Sequence, residues 1–181
     1  MTKIGHLETW LAQEQAVRAV LSAGVGPGLA SALDVAGKTG LEIMQAMLDG
    51  LLPYPHIADT MDFCVVEVGH GRAVFQGTPQ LKHYNPLGSV HGGWYATLLD
   101  SALGCAVQTR LAPGQGYTTA ELSVNIVRAA SHASGPLRAT GTVIHVGRQM
   151  ATAEARIVGH DGRLYAHATT TCLVFTPQSP A

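Results

Sequence analysis

The chain has 181 residues, 46% of them hydrophobic and 13% charged, and a formal net charge of −1. That length and apolar content suit one compact domain with a sizeable core. The charge balance leaves no basic footprint for nucleic acid, and no apolar run approaches the roughly 20 residues that cross a bilayer, so any anion binding must be local.

The first residues, Met1-Thr2-Lys3-Ile4-Gly5-His6-Leu7-Glu8, lack the apolar stretch and small-residue cleavage site of a secretory signal, and a cytoplasmic protein is expected. Cys64, Cys105 and Cys172 sit in apolar segments without metal-ligand spacing. They read as small hydrophobes in a reducing compartment, neither ligands nor disulfides.

Along the chain, Ile4, Leu7, Leu11, Val17 and Leu21 recur at helical spacing over residues 4–23, with Glu14 interrupting the stripe. Gly24-Val25-Gly26-Pro27-Gly28 then breaks the pattern. Residues 1–38 are expected to be an appended helix and linker that covers a sheet surface or a second subunit. Ala32 to Thr39 fits a relaxed P-loop pattern, but no strand precedes it, and nucleotide binding is not expected there. Thr39-Gly40-Leu41-Glu42 instead reads as a capping box. It opens a short helix over 39–51 with Leu41, Met44, Leu48 and Leu51 on one face. Residues 54–59 read as a loop, and His56 within it as a surface residue. The main domain is expected to span 39–176, followed by a tail over 177–181.

From residue 61 the period changes to two. Residues 61–68 and 72–78 flank Gly69-His70-Gly71 and predict a hairpin. Residues 117–128 alternate, with Ala120, Leu122, Val124 and Ile126 on one face and Thr119, Glu121, Ser123 and Asn125 on the other. Strands follow near 136–146, 149–158 and 163–175. One helix near 92–108 against a mostly antiparallel sheet of five to six strands is an α+β layout.

That helix carries the chemistry. His83-Tyr84-Asn85-Pro86-Leu87-Gly88-Ser89-Val90-His91-Gly92-Gly93 is a loop that opens into mostly apolar helix formers, whose interior holds a single acid, Asp100. A carboxylate buried on an apolar helix costs several kcal/mol unless it is hydrogen-bonded or paired, so Asp100 is either a well-satisfied core acid or a working one. The His91-Gly92-Gly93 terminus offers free N–H groups and the positive end of the helix dipole to a developing oxyanion. Asn85 adds a neutral amide able to polarise a carbonyl or hold a water. Together these groups suggest acyl transfer to water. Gly92 and Asp100 are eight residues apart, about 12 Å along a helix, too far for both to touch one carbonyl within one subunit. If both act, two antiparallel copies of the helix must share the site, which predicts a symmetric dimer.

Asn85-Pro86-Leu87-Gly88-x-x-His91-Gly92-Gly93 with Asp100 nine residues after the His resembles the PaaI-like acyl-CoA thioesterases of the hotdog fold, the phenylacetate-pathway type. The resemblance spans roughly residues 39–176 and includes Thr118 to Arg128, Gly147-Arg148 and Asp161 to Thr169. It implies a long central helix wrapped by an antiparallel sheet, here with an extra N-terminal helix. It implies Asp100 as nucleophile or general base, the Gly92 N–H as oxyanion donor with Gly93 beside it, and His91 and Asn85 as orienting and polarising partners. Thr119 falls where the family often positions the attacking water, although the alternation puts it on the polar face of its strand and Thr118 on the other. Arg128 and Arg148 match the family's basic positions for coenzyme A phosphates; solvated strand-end charges are the plain alternative. Trp94 and Tyr95 read first as core, and second as walls of an acyl pocket. The implied protein is a homo-oligomer, a dimer with shared active sites pairing into a tetramer. It would hydrolyse an aryl- or medium-chain acyl-CoA without metal or cofactor, coenzyme A entering only as part of the substrate. Hotdog dehydratases place their His and carboxylate at other spacings. A non-catalytic acyl-CoA-binding module would need no reactive acid.

Overall fold

A computed structural model describes residues 3–176, with side chains from residue 6 onward. The expected tail over 177–181 and the side chain of Ile4 lie outside the described residues. In chain order the elements are α1 (Lys3–Ala23), α2 (Ala32–Val35), α3 (Gly40–Leu48), α4 (His56–Met61), β1 (Phe63–Gly69), β2 (Arg72–Gly77), α5 (Gly92–Gln108), β3 (Gly116–Ile126), β4 (Leu137–Val146), β5 (Met150–Gly159) and β6 (Leu164–Phe175). Short 3-10 turns stand at Leu81–His83 and His132–Ser134.

The strands form one six-stranded sheet in the order β1-β2-β4-β5-β6-β3, with every pair antiparallel. Alternate residues of β5 point inward and are small, with Ala151 and Ala153 fully buried and Ala155 nearly so, which lets a helix lie close to the sheet. That helix is α5. Its inner face presents Leu98, Leu99, Ala102, Leu103, Ala106 and Val107, all fully buried. At Gly141 of β4 the approach is so close that an added Cβ would overlap the Ala102 carbonyl. Truncating Leu98 or Leu99 to Ala would cost about 2–5 kcal/mol by leaving a cavity in such a core. A long helix wrapped by an antiparallel sheet is the hotdog arrangement.

On the other side of the sheet, α1 lies over β1, β2 and β4. Leu21 and Val17 pack on Cys64, Val66 and Val74. Leu11 is exposed, so the apolar stripe only partly describes the docked face. Gln13 and Glu14 turn inward because the sheet offers them partners. Gln13 donates to the Val66 carbonyl at 2.9 Å, and Gln76, fully buried on β2, donates to Glu14 and to the Trp10 carbonyl.

Two further expectations change. Residues 56–61 form the helix α4 in place of a loop; Pro55 occupies the cap position and Asp62, in the left-handed region at φ 55°, ends it. The capping box at Thr39 and Glu42 is present, but α3 stops at Leu48, leaving Leu51 70% exposed. The P-loop-like segment is the four-residue α2, capped by Ser31, with Lys38 donating to the Asp34 carbonyl. No strand precedes it.

Candidate active site

The central helix starts where the glycines predict. His91 is its N-cap, in extended conformation, and its Nδ1 accepts the Gly93 N–H at 2.9 Å. Accepting there leaves the imidazole proton on Nε2. The arrangement revises one expectation: the Gly93 N–H is committed to His91, so Gly92 supplies the helix terminus's open donor. No hydrogen bond among the described residues uses the Gly92 N–H.

Asp100 is half-buried where α5 lies beside β3, the edge strand of the sheet. Thr119 donates its hydroxyl to Asp100 Oδ1 at 3.0 Å. A β-bulge between Thr119 and Glu121 makes this contact possible. The extra residue, Ala120, shifts the alternation by one, so Tyr117 and Thr119 share the helix-facing side with Leu122 and Val124. Bulges of this kind re-aim a side chain without interrupting the sheet. The simple period-two reading put Thr119 opposite Leu122, and the bulge corrects it.

Helix α5 and β3 run side by side in opposite senses. An added Cβ on Gly92 would meet Ile126 Cδ1 at 3.4 Å, Asp100 meets Thr119, and Gly104 lies against the Tyr117 phenol so closely that a Cβ there would overlap it. The close partner that Gly104 calls for is therefore an aromatic side chain. Burial, and then the neighbouring Cys105, Cys172 and Asp100, hold the Tyr117 hydroxyl well above its ordinary pKa of 10.0. Burial and the Asp100 charge push the Cys105 thiol up to about 12, so it stays protonated beside the carboxylate at neutral pH.

Asn85 is occupied differently from the expectation. Its Oδ1 accepts from the N–H groups of Leu87 (3.0 Å) and Ser89 (3.2 Å), while Nδ2 donates to Ser89 Oγ at 2.8 Å. The amide closes its own turn and sets the path of the loop into His91. Trp94 and Tyr95 are core residues with satisfied polar atoms: Trp94 Nε1 donates to the Met61 carbonyl at 3.0 Å, and Tyr95 Oη accepts from the Ala130 N–H at 2.7 Å. Trp94 also backs a cleft of about 480 Å³ beside the helix terminus, with Met61, His83, Tyr84, His91 and Thr97. Burial and then Lys82 hold the His83 pKa below 6.5. His83 Nδ1 accepts the Gln80 N–H, and its Nε2 is buried without a partner among the described residues.

The two arginines are not brought together. Arg128 follows β3, donates to the Leu164 carbonyl at 3.3 Å and lies 6.0 Å from the Tyr165 ring centroid. Arg148 is exposed in the β4–β5 turn. Ile126 pairs with Ala166 whereas Met150 pairs with Leu173. Seven residues of β6 therefore separate the two ends, roughly 23 Å at ~3.3 Å per residue. Among the described residues no group of three or more His, Cys, Asp or Glu is placed to hold a metal ion, and no helix is long and apolar enough to cross a membrane.

The thioesterase superfamily matches residues 87–166, which run from the loop through α5 into β6. A solved thioesterase-superfamily protein is 32% identical over 65% of this chain and 87% of its own, with a TM-score of 0.56. The chain belongs to the thioesterase superfamily. Among other superfamily structures, a phenylacetic acid degradation-related protein of Ralstonia eutropha JMP134 is 28% identical over 71% of this chain and 97% of its own, with a TM-score of 0.65. The 1,4-dihydroxy-2-naphthoyl-CoA hydrolase of Listeria monocytogenes is 26% identical over 118 residues, 65% of this chain and 94% of that protein. This superfamily member is a thioester hydrolase of the hotdog, PaaI-like kind.

One group escaped the sequence reading. Tyr117 faces the helix only because of the bulge, and the signal that could have found it was the interior glycine, Gly104, one turn after Asp100.

Proposed function

We propose that the protein is a dimeric acyl-CoA thioesterase acting on aryl- or medium-chain acyl-CoA, with Asp100 as the carboxylate base and Gly92 of the partner subunit as the oxyanion donor. The observation that carries this reading is the pairing on one open helix face of a hydroxyl-bonded carboxylate and an unpartnered N–H, eight residues apart. At 1.5 Å per residue that is about 12 Å, so one carbonyl reaches both only across a two-fold axis near Ala96. The naphthoyl-CoA activity of the Listeria relative supports an aryl substrate. The cleft walled by Met61, Tyr84 and Trp94 supports it as well.

In this reading the thioester oxygen accepts from Gly92 of the partner subunit, and the dipole of that helix stabilises the negative charge that develops. Asp100 takes a proton from water as the water oxygen attacks the carbonyl carbon. The C–S bond then breaks, and the thiolate recovers the proton from Asp100, giving free acid and coenzyme A thiol. Thr119 fixes the carboxylate through Oδ1 and leaves Oδ2 for the proton. The antiparallel arrangement also gives the arginines a joint role. It brings Arg128 of the partner subunit toward the Arg148 end of this sheet, where both face the coenzyme A phosphates. Pairing of dimers into tetramers would use the outer face of β5, β6 and β3, because α1 covers that of β1, β2 and β4.

The test is thiol release from phenylacetyl-, benzoyl-, hydroxybenzoyl-, hexanoyl- and decanoyl-CoA by wild type and Asp100→Ala at equal dimer content. Turnover of at least one substrate, with a loss of about 10²-fold or more in kcat for the variant, supports the reading. Binding without thiol release would make the protein an acyl-CoA-binding module instead.

A further inference from the structure

Thr119 and Tyr117 stand two residues apart on the helix-facing side of β3, and Asp100 and Gly104 one turn apart on α5. Thr119 meets Asp100 at 3.0 Å, and the Tyr117 phenol fills the space above Gly104. Two hydroxyls of β3, both preceding the bulge at Ala120, thus lie along the stretch of α5 that carries Asp100 and Gly104.

Their hydrogen bonding differs. The Thr119 proton lies on Asp100 Oδ1, so Thr119 retains only acceptor capacity toward anything else. The Tyr117 hydroxyl makes no hydrogen bond among the described residues and lies against Gly104, one turn beyond Asp100 on α5, which leaves its proton uncommitted. Burial and the surrounding groups keep that proton on the oxygen at neutral pH. Gly104 is the reason the phenol fits. A helix-interior glycine carries a cost in backbone entropy, and here any side chain, even a methyl, would displace the hydroxyl.

We infer that Tyr117 positions the attacking water, its hydroxyl donating to the water oxygen while Asp100 removes one proton and Thr119 accepts the other. The inference rests on the thioesterase reading above. A water that donates both protons and attacks with one lone pair has one lone pair left, and Tyr117 is the donor placed to hold it. Asp100 and Thr119, as bonded to each other, offer no proton for that purpose. The phenol fixes the direction of attack and takes no part in the proton balance: water loses its proton to Asp100, and the departing thiolate receives it.

Tyr117→Phe removes the hydroxyl and keeps the ring against Gly104, so folding is retained. With the same five acyl-CoAs, the variant is expected to lose about 10- to 100-fold in kcat, by a similar factor for every substrate it turns over, with KM within about 2-fold and an unchanged melting curve. A role confined to packing would not move kcat at constant Tm. The inference is overturned if kcat stays within about 2-fold of wild type. It is also overturned if the loss is restricted to one acyl class, which would make Tyr117 an acyl contact, or if only KM rises. Asp100→Ala, measured alongside, separates the two levels. If it abolishes turnover while Tyr117→Phe does not, only the present inference falls; if the wild type releases no thiol, the thioesterase reading falls and takes this one with it.

Discussion

Thr119→Val keeps the β-branched shape that suits a strand and removes the one side-chain hydrogen bond that the Asp100 carboxylate makes among the described residues. Without it the carboxylate can rotate away from the water. The expected result is a kcat lower by about 10-fold or more with little change in KM or melting temperature, read by steady-state thiol release. A variant with full kcat would mean that Thr119 only fills space. At this scale the sequence was legible in part. Asp100, His91 and Gly92 stand out because an acid inside an apolar helix and a glycine pair at its start are local signals. Thr119 was ambiguous and Tyr117 invisible for a shared reason. A one-residue bulge at Ala120 reverses which side chains face the helix, and bulges leave no mark in residue alternation. Asn85 has a second task that residue patterning does not show: its Oδ1 and one Nδ2 proton close its own turn through Leu87 and Ser89.

Among the elements, α1 shows how an amphipathic pattern can be only half apolar. Arg138 on β4 lies 4.3 Å from the Trp10 ring centroid and donates to Gln76 at 2.6 Å and to Gln13 at 2.7 Å. Arg138→Ala should leave Gln76 buried with an unmet acceptor and cost about 1–3 kcal/mol, with faster hydrogen exchange in α1. Equilibrium denaturation that gives wild-type stability would refute this. At the loop end of α1, Arg18 and Lys82 both contact Asp62, at 3.1 and 3.3 Å. Burial alone would raise the Asp62 pKa, but Arg18, Lys82 and Gln80 outweigh it and hold it below the ordinary 3.8. A carboxyl depressed in the folded state adds stability that is fully present above its unfolded pKa and lost as pH falls through the folded one. The Asp62→Asn variant should therefore show a shallower loss of stability than wild type below about pH 4. Parallel curves would show that Asp62 contributes nothing to acid sensitivity. Helix α4 and the inward-turned Gln13 and Glu14 were beyond sequence patterning. The first is only six residues long, and the second depends on distant strand partners, Gln76 for Glu14 and the Val66 carbonyl and Arg138 for Gln13.

For the whole molecule, the sheet and central helix follow from period-two and period-3.6 patterns over long stretches, which is why their placement was readable within a residue or two. The assembly is a matter of distance. Arg128 and Arg148 lie at opposite ends of one sheet, and Gly92 and Asp100 eight residues apart on one helix. In the proposed dimer a second subunit bridges both separations, which follow from rise per residue alone.

The most direct measurement is complementation between two inactive variants. Gly92→Pro deletes the N–H and little else. Gly92 is the first residue of α5, where proline is well tolerated, and His91 before it has the extended conformation that a following proline requires. Asp100→Ala deletes the carboxylate. Each should be inactive alone. Co-refolded in equal amounts, they should recover roughly a quarter of wild-type thiol release, because half the dimers are mixed and one of the two sites in each holds both an intact Asp100 and an intact Gly92. No recovery in a mixture that demonstrably contains heterodimer would contradict a site shared between subunits.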